Sequence, residues 1–269
     1  MALNITTYAI VFIFGTVIAS FLNVLIYRIP QKLDFVRGRS LCPNCEHRLG
    51  PLDLIPIVSY LALGRKCRYC HKPISPRYMI IEFIGGILAL CSWTAFQYNS
   101  PLLHANETFF GTTAPILAPI LYFAVLCILL VVTCIDAETM EIPDGLNIAL
   151  LICGVAAIFI APEVTILSRI IGLFCVSVPL LVITLIVPGA FGGGDVKLMA
   201  AAGFLLGWQS TLVAIFIGVL IGGAWGIYLM ASGKKGAKGH FAFGPALCVG
   251  IAIALFFGAH LVTWYLGFL

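Results

Sequence analysis

Charge is what this chain has least of. Only 10% of its 269 residues are Asp, Glu, Lys or Arg, against about 25% in an ordinary soluble domain. With 61% hydrophobic residues and a mean hydropathy of +1.10, that shortage excludes a soluble globular fold. No basic segment precedes the first apolar run, and no cleavage site follows it, so a signal peptide is not expected there. Low-complexity tracts and repeats are absent. So is any strand, Gly-rich loop and helix unit of the dinucleotide-binding type.

Long apolar runs are what the chain has most of. About 20 apolar residues, at 1.5 Å each, cross the hydrocarbon core. With no water there to satisfy the backbone, such runs must be helices or closed barrels. Here the runs are continuous rather than alternating, which selects helices. Spans are expected near residues 8–27, 79–98, 114–135, 146–162, 168–188, 196–207, 209–231 and 243–265. The sixth is short and joins the seventh through Gly203 and Gly207. The expected fold is therefore all-α and polytopic, with about eight transmembrane helices and a small zinc-binding cytoplasmic insert. It divides into a first helix (1–28), the insert (29–78) and a membrane core (79–269).

Lys and Arg are almost missing from one side. Residues 28–78 carry ten of them, Lys197 and the group Lys234, Lys235 and Lys238 add four, and only Arg169 lies near the opposite side. Basic loops stay in the cytoplasm, so the insert is expected there with both termini outside. Against its ten bases the insert has three acids, Asp34, Glu46 and Asp53. Such a surplus suits anionic lipid headgroups and is not read as a nucleic-acid site.

Ten cysteines fall into two classes. Six (Cys91, Cys127, Cys134, Cys153, Cys175 and Cys248) stand singly in apolar runs, where a thiol packs as a small hydrophobe. The other four form Cys42-Pro-Asn-Cys45 and Cys67-Arg-Tyr-Cys70. Each CxxC turn turns two sulfurs toward one point, and two turns complete a tetrahedral zinc site. Disulfides are the rival reading, which the reducing cytoplasm disfavours. Four thiolates leave no open position, so the zinc is expected to be structural, with His47 and His71 outside its coordination.

Ionisable groups at membrane depth are functional candidates by default. Asp136 ends the third span and Asp195 opens the sixth, closing Phe191-Gly192-Gly193-Gly194-Asp195. The charge count puts both at cytoplasmic helix ends. If they meet, they cannot both ionise easily, which suits activating water with one carboxyl and protonating a carbonyl with the other. Gly192, Gly193 and Gly194 would let an extended peptide approach. The plain alternative makes Asp195 an N-cap and Asp136 a loop acid. Asp144, after Pro143, reads as the N-cap of the fourth span, and Lys197 either as a neighbour able to steady Asp195 or, equally, as a cytoplasmic anchor.

Gly192-Gly193-Gly194-Asp195 resembles the GxGD signature of type IV prepilin peptidases. Asp136, Asp144 within Ile142-Pro143-Asp144, the first span from Gly15 to Arg28, the paired cysteines, Arg77-Tyr78 leading to Glu82, and Phe243-Gly244-Pro245 resemble further motifs of that family. The resemblance implies an inner-membrane aspartic peptidase with Asp136 and Asp195 catalytic. It would cut the basic leader from prepilins or pseudopilins on the cytoplasmic side. It would then N-methylate the new terminus with S-adenosylmethionine, whose site the resemblance assigns to the insert and adjoining helices, with Glu82 a candidate contact. Glu138 and Glu141, in an acidic loop without a base, would hold that basic leader. Two other readings compete. A broader GxGD intramembrane protease is disfavoured by the cysteine insert and the first-span motif. A transporter with a regulatory metal domain would more often show inverted halves with interrupted helices.

Overall fold

The computed structural model describes residues 2–34, 38, 40–97, 114–187, 189–232 and 242–268. The basic group Lys234, Lys235 and Lys238 lies outside these, as do Arg37 and Arg39 of the insert. Among the described residues the regular elements are all helices, with two isolated β-bridges besides. The chain forms two compact units, residues 1–94 and 95–269.

The first unit contains α1 (Ala2–Arg28), a 3-10 turn (Pro51–Leu54), α2 (Val58–Ala62) and most of α3 (Arg77–Gln97). Helices α1 and α3 meet through Phe12 and Phe83, edge to face at 5.8 Å, and Asn23 Nδ2 donates to the Tyr78 carbonyl at 3.2 Å. The insert between them has too little apolar surface for a conventional core. Its order comes from local hydrogen bonds around two cysteine turns.

The second unit contains α4 (Ala114–Thr139), α5 (Asp144–Ile160), α6 (Ile166–Cys175), α7 (Ser177–Ile186), α8 (Gly193–Leu206), α9 (Trp208–Ala231) and α10 (Gly244–Leu266). Helix α8 is its centre: Leu198, Met199 and Ala202 are fully buried. Helix α6 packs on α8 at backbone contact, since a Cβ on Gly203 would lie 2.0 Å from the Gly172 carbonyl oxygen. Small residues permit such approach where lipid supplies no hydrophobic drive. Helices α5 and α8 run side by side in the same direction, tied at their starts by Lys197 Nζ and Asp144 Oδ1, 2.7 Å apart, and near their ends by Gly154 against Phe204.

Among the described residues, six segments are long and apolar enough to cross a membrane: α1, α3, α4, α6 with α7, α9 and α10. Helix α5 has 17 residues and α8 has 14, about 25 and 21 Å at 1.5 Å per residue, short of the ~30 Å hydrocarbon core. The expected count of about eight, its sixth span already short, is therefore not confirmed.

The ends of those two short helices meet a residue that sequence reasoning passed over. Arg169 of α6 is fully buried. Its guanidinium donates to the carbonyls of Ala157 and Ala161 at the end of α5, to Phe204 and Leu205 at the end of α8, and to Val164. The Ala157 carbonyl also accepts the Ala161 N–H, but carbonyls at a helix end commonly lack an intrahelical donor and carry the negative end of the helix dipole. A planar cation with five N–H groups meets both needs.

Candidate active site and metal centre

The two cysteine turns are built alike. In the first, Cys42 N–H donates to the His47 carbonyl and Glu46 N–H to the Cys42 carbonyl, at 3.0 and 2.8 Å. In the second, Cys67 donates to Lys72 and His71 to Cys67, at 2.9 and 3.0 Å. The bridges Leu41 with Arg48 and Lys66 with Pro73 close the two turns, and Glu46 and His71 take the same left-handed conformation, φ +55° and +56°. This repetition of local geometry aims four sulfurs inward. All four Sγ atoms lie within 4.8 Å of one another, with Cys42 and Cys70 3.9 Å apart. Zinc–sulfur bonds of about 2.3 Å in a tetrahedron place sulfurs ~3.8 Å apart, so the donor set fits zinc.

His47 does not face the sulfurs as a fifth ligand would; its ring lies on Tyr69, centroids 3.6 Å apart. Asp53 joins the second turn to the 3-10 turn. Its carboxylate accepts from Arg68 Nε at 2.7 Å, from Tyr69 Oη at 3.1 Å and from Gly50 N–H at 3.1 Å. Burial raises the Asp53 pKa, but these three donors together outweigh that and hold it below the usual carboxylate value.

Asp136 and Asp195 are both buried, at 5% and 7% exposure, and lie within electrostatic range of each other and of Cys248. Each has one oxygen fixed by a backbone amide at a helix start. Asp136 Oδ2 accepts the N–H of Gly244, where α10 begins, at 2.9 Å. Asp195 Oδ2 reaches back to the N–H of Gly192, just before α8, at 3.0 Å. Helix N-termini favour anions, so both carboxylates sit where the dipoles stabilise charge.

The glycines around them have separate reasons. A Cβ on Gly244 would lie 2.6 Å from Asp136 Oδ2, and one on Gly194 would lie 2.8 Å from the Ile142 Cβ. Glycine at these two positions lets the acid reach its amide and the loop after α4 lie on α8. Gly193 meets nothing within 4 Å, and packing gives it no reason to be glycine. Phe191 and Phe243, 5.5 Å apart, flank the two acidic segments.

Two neighbouring expectations need correction. Asp144 does not cap α5: Pro143 holds the N-cap position, and Asp144 is the first helical residue without a side-chain cap bond. Its carboxylate pairs with Lys197 instead, so Lys197 steadies α5 against α8 and not Asp195. The reason is reach, since Lys197 lies two residues past Asp195 and points to the neighbouring helix. Glu138 and Glu141 are exposed beside the turn that follows α4.

Glu82 lies in the other unit. It is 8% exposed, and its Oε2 accepts the N–H of Ile57 at 2.8 Å.

Residues 13–96 match the family model for the bacterial peptidase A24 N-terminal domain, and residues 123–227 match that for the type IV leader peptidase family. The chain is also similar to curated proteins named prepilin leader peptidase/N-methyltransferase. That of Bacillus subtilis (strain 168) is 32% identical over 258 residues, covering 96% of this chain and 97% of the relative. That of Legionella pneumophila is 30% identical over 296 residues, covering 97% and 95%. In Neisseria gonorrhoeae the figures are 32% over 268 residues, covering 88% and 86%. No solved structure matches.

Proposed function

The chain belongs to the type IV leader peptidase family, and from that premise we propose how its own residues cut a prepilin leader and methylate the new amino terminus. The observation that carries the peptidase assignment is the pairing of Asp136 and Asp195. Each is buried, and each is fixed at Oδ2 by one backbone amide. That arrangement leaves the two Oδ1 atoms for chemistry. One carboxylate takes a proton from water as its oxygen attacks the scissile carbonyl carbon. The other, protonated, gives its proton to the carbonyl oxygen. When the C–N bond breaks, the leaving nitrogen takes a proton from the dyad, and a hydroxyl of the tetrahedral carbon returns one as the carbonyl re-forms, so the pair regains its starting state. Two adjacent acids titrate as a unit, so a pH–rate profile reports values of the pair.

Glu138, in the last turn of α4, and Glu141, just after it, are assigned to the basic leader as exposed acids close in sequence to Asp136. Gly192, Gly193 and Gly194 leave room for its extended backbone beside Asp195. Cys42, Cys45, Cys67 and Cys70 would hold one zinc ion, which supplies rigidity to the insert rather than chemistry, since four thiolates leave no site for substrate. S-adenosylmethionine would supply the methyl group. The lone pair of the new amine forms the N–C bond, the electrons of the broken S–C bond return to sulfur, and the amine releases a proton to solvent.

Residues 29–78 serve methyl transfer and residues 79–269 peptide cleavage, both at the cytoplasmic face of the bacterial inner membrane. The Lys/Arg count supports that orientation. Substrates are prepilins or pseudopilins met within the bilayer lipids. Incubating the purified enzyme with a membrane-embedded prepilin and measuring the product mass tests this. Loss of the leader followed by gain of one methyl is expected, while an intact prepilin would refute the assignment.

A further inference from the structure

Asn147 on α5 is 6% exposed, and among the described residues neither its Oδ1 nor its Nδ2 meets a hydrogen-bond partner. A buried amide in that state is costly, and it calls for a reason such as a catalytic role or bound water. We infer that Asn147 is a positioning residue of the aspartate pair. Through ordered water its carboxamide hydrogen-bonds Asp136, which makes Asp136 the acid that starts ionised and Asp195 the one that starts protonated. The inference rests on the dyad reading above and divides its two roles.

The packing of α5 gives Asn147 its place. Asn147, Leu150, Gly154 and Ala157 are buried at helical spacing and form one stripe. That stripe faces α8. A Cβ on Gly154 would lie 2.8 Å from Phe204 Cδ1 and 3.4 Å from the Leu205 nitrogen, and the Ala157 carbonyl shares Arg169 with those of Phe204 and Leu205. Counting back along both helices from that contact brings Asn147 opposite Leu198, one turn deeper than Asp195. Helix α4 packs on the other side of α5. Asp136 stands three residues before its end at Thr139, and Asn147 three after the start of α5 at Asp144, so the two share one depth.

The two acids are otherwise alike, each with Oδ2 on one backbone amide. A further donor on one side breaks the tie, because a hydrogen bond donated to a carboxylate favours its anion. A carboxamide both donates and accepts, and buried water makes about three hydrogen bonds to polar groups without other partners. Water held by Asn147 can therefore donate to Asp136 Oδ1, whose second lone pair is left for the proton of the attacking water. The ionisable groups on the elements around it are Asp136 on α4, Asp195 and Lys197 on α8, Cys248 on α10 and, on its own helix, Asp144, which holds Lys197 at 2.7 Å.

The test compares wild type, Asn147→Leu and Asn147→Ser in single-turnover prepilin cleavage across pH, with thermal unfolding in detergent. Leucine is similar in size and removes the unpaired amide, so that variant is expected to unfold no lower than wild type. Asp136 loses a donor to its anion, so the acid limb of the pH–rate profile is expected to move up by about one pH unit. The plateau rate should fall about tenfold. Serine keeps a hydroxyl that binds water and should return the limb to within about 0.3 unit of wild type. A leucine profile that coincides with wild type would overturn the inference, as would a serine profile displaced as far as the leucine one. So would a leucine variant that unfolds many degrees lower, because the amide would then be paired within the protein. Asp195→Asn measured alongside separates the two readings. If it still cleaves, the dyad reading itself fails; if it is inactive while Asn147→Leu is unchanged, only the role of Asn147 fails.

Discussion

Asp136 and Asp195 come from helix ends 59 residues apart in sequence, yet the same device holds both: one carboxylate oxygen on a backbone amide at a helix start. The acids themselves were legible, because carboxylates at the ends of apolar runs are rare enough to notice. Their donors were not, because a backbone N–H leaves no mark in a sequence. Gly244 could be found only through the Phe243-Gly244-Pro245 motif. Adjacency along the chain made Asp195 one of two readings for Lys197, while the helix carries its side chain to Asp144. At this scale the acidic turn gives a prediction. Exposed ion pairs contribute about 1 kcal/mol or less each, so Glu138→Lys with Glu141→Lys should raise KM for a basic-leader prepilin about five- to twentyfold and leave kcat within twofold. The effect should shrink as salt screens it. Unchanged KM at low salt would remove these residues from leader binding.

Helix boundaries followed hydropathy closely, and most expected spans agree with observed helices within a few residues at each end. Helices α5 and α8 follow that rule too but stop short of the hydrocarbon core's thickness, ending inside protein where Arg169 reaches their last carbonyls. Hydropathy cannot show this, since the cap comes from a third helix. Arg169 stood out in the sequence only as the base on the wrong side of the charge count. Each buried carbonyl left without a partner costs about 1–3 kcal/mol. Arg169→Met should therefore lower the unfolding temperature in detergent by many degrees, and Arg169→Lys, with three donors, should fall between. A Met variant as stable as wild type would show that the capping contributes nothing. The cysteine turns were legible for the opposite reason, as their ligand spacing is local. About one zinc per chain is expected, and Cys42→Ser with Cys45→Ser should abolish it and expose the insert to proteolysis before the membrane helices. Metal-free protein from a chelator-free preparation would contradict this.

Across the whole molecule, composition alone indicated an all-helical membrane protein, and charge bias indicated which ends of the helices to inspect. It could not indicate that the chain forms two compact units, each with its own polar centre. The second unit holds the two aspartates on which the account depends. An amide in place of either carboxyl keeps the shape but can neither take a proton from water nor return it. Because the pair acts as one, removing both should be scarcely worse than removing either. The most direct measurement is single-turnover leader cleavage by folded, zinc-loaded Asp195→Asn enzyme, beside Asp136→Asn and the double variant. The account predicts a loss of at least a thousandfold in all three, with methylation of a pre-cleaved substrate retained. Substantial cleavage by Asp195→Asn would contradict it.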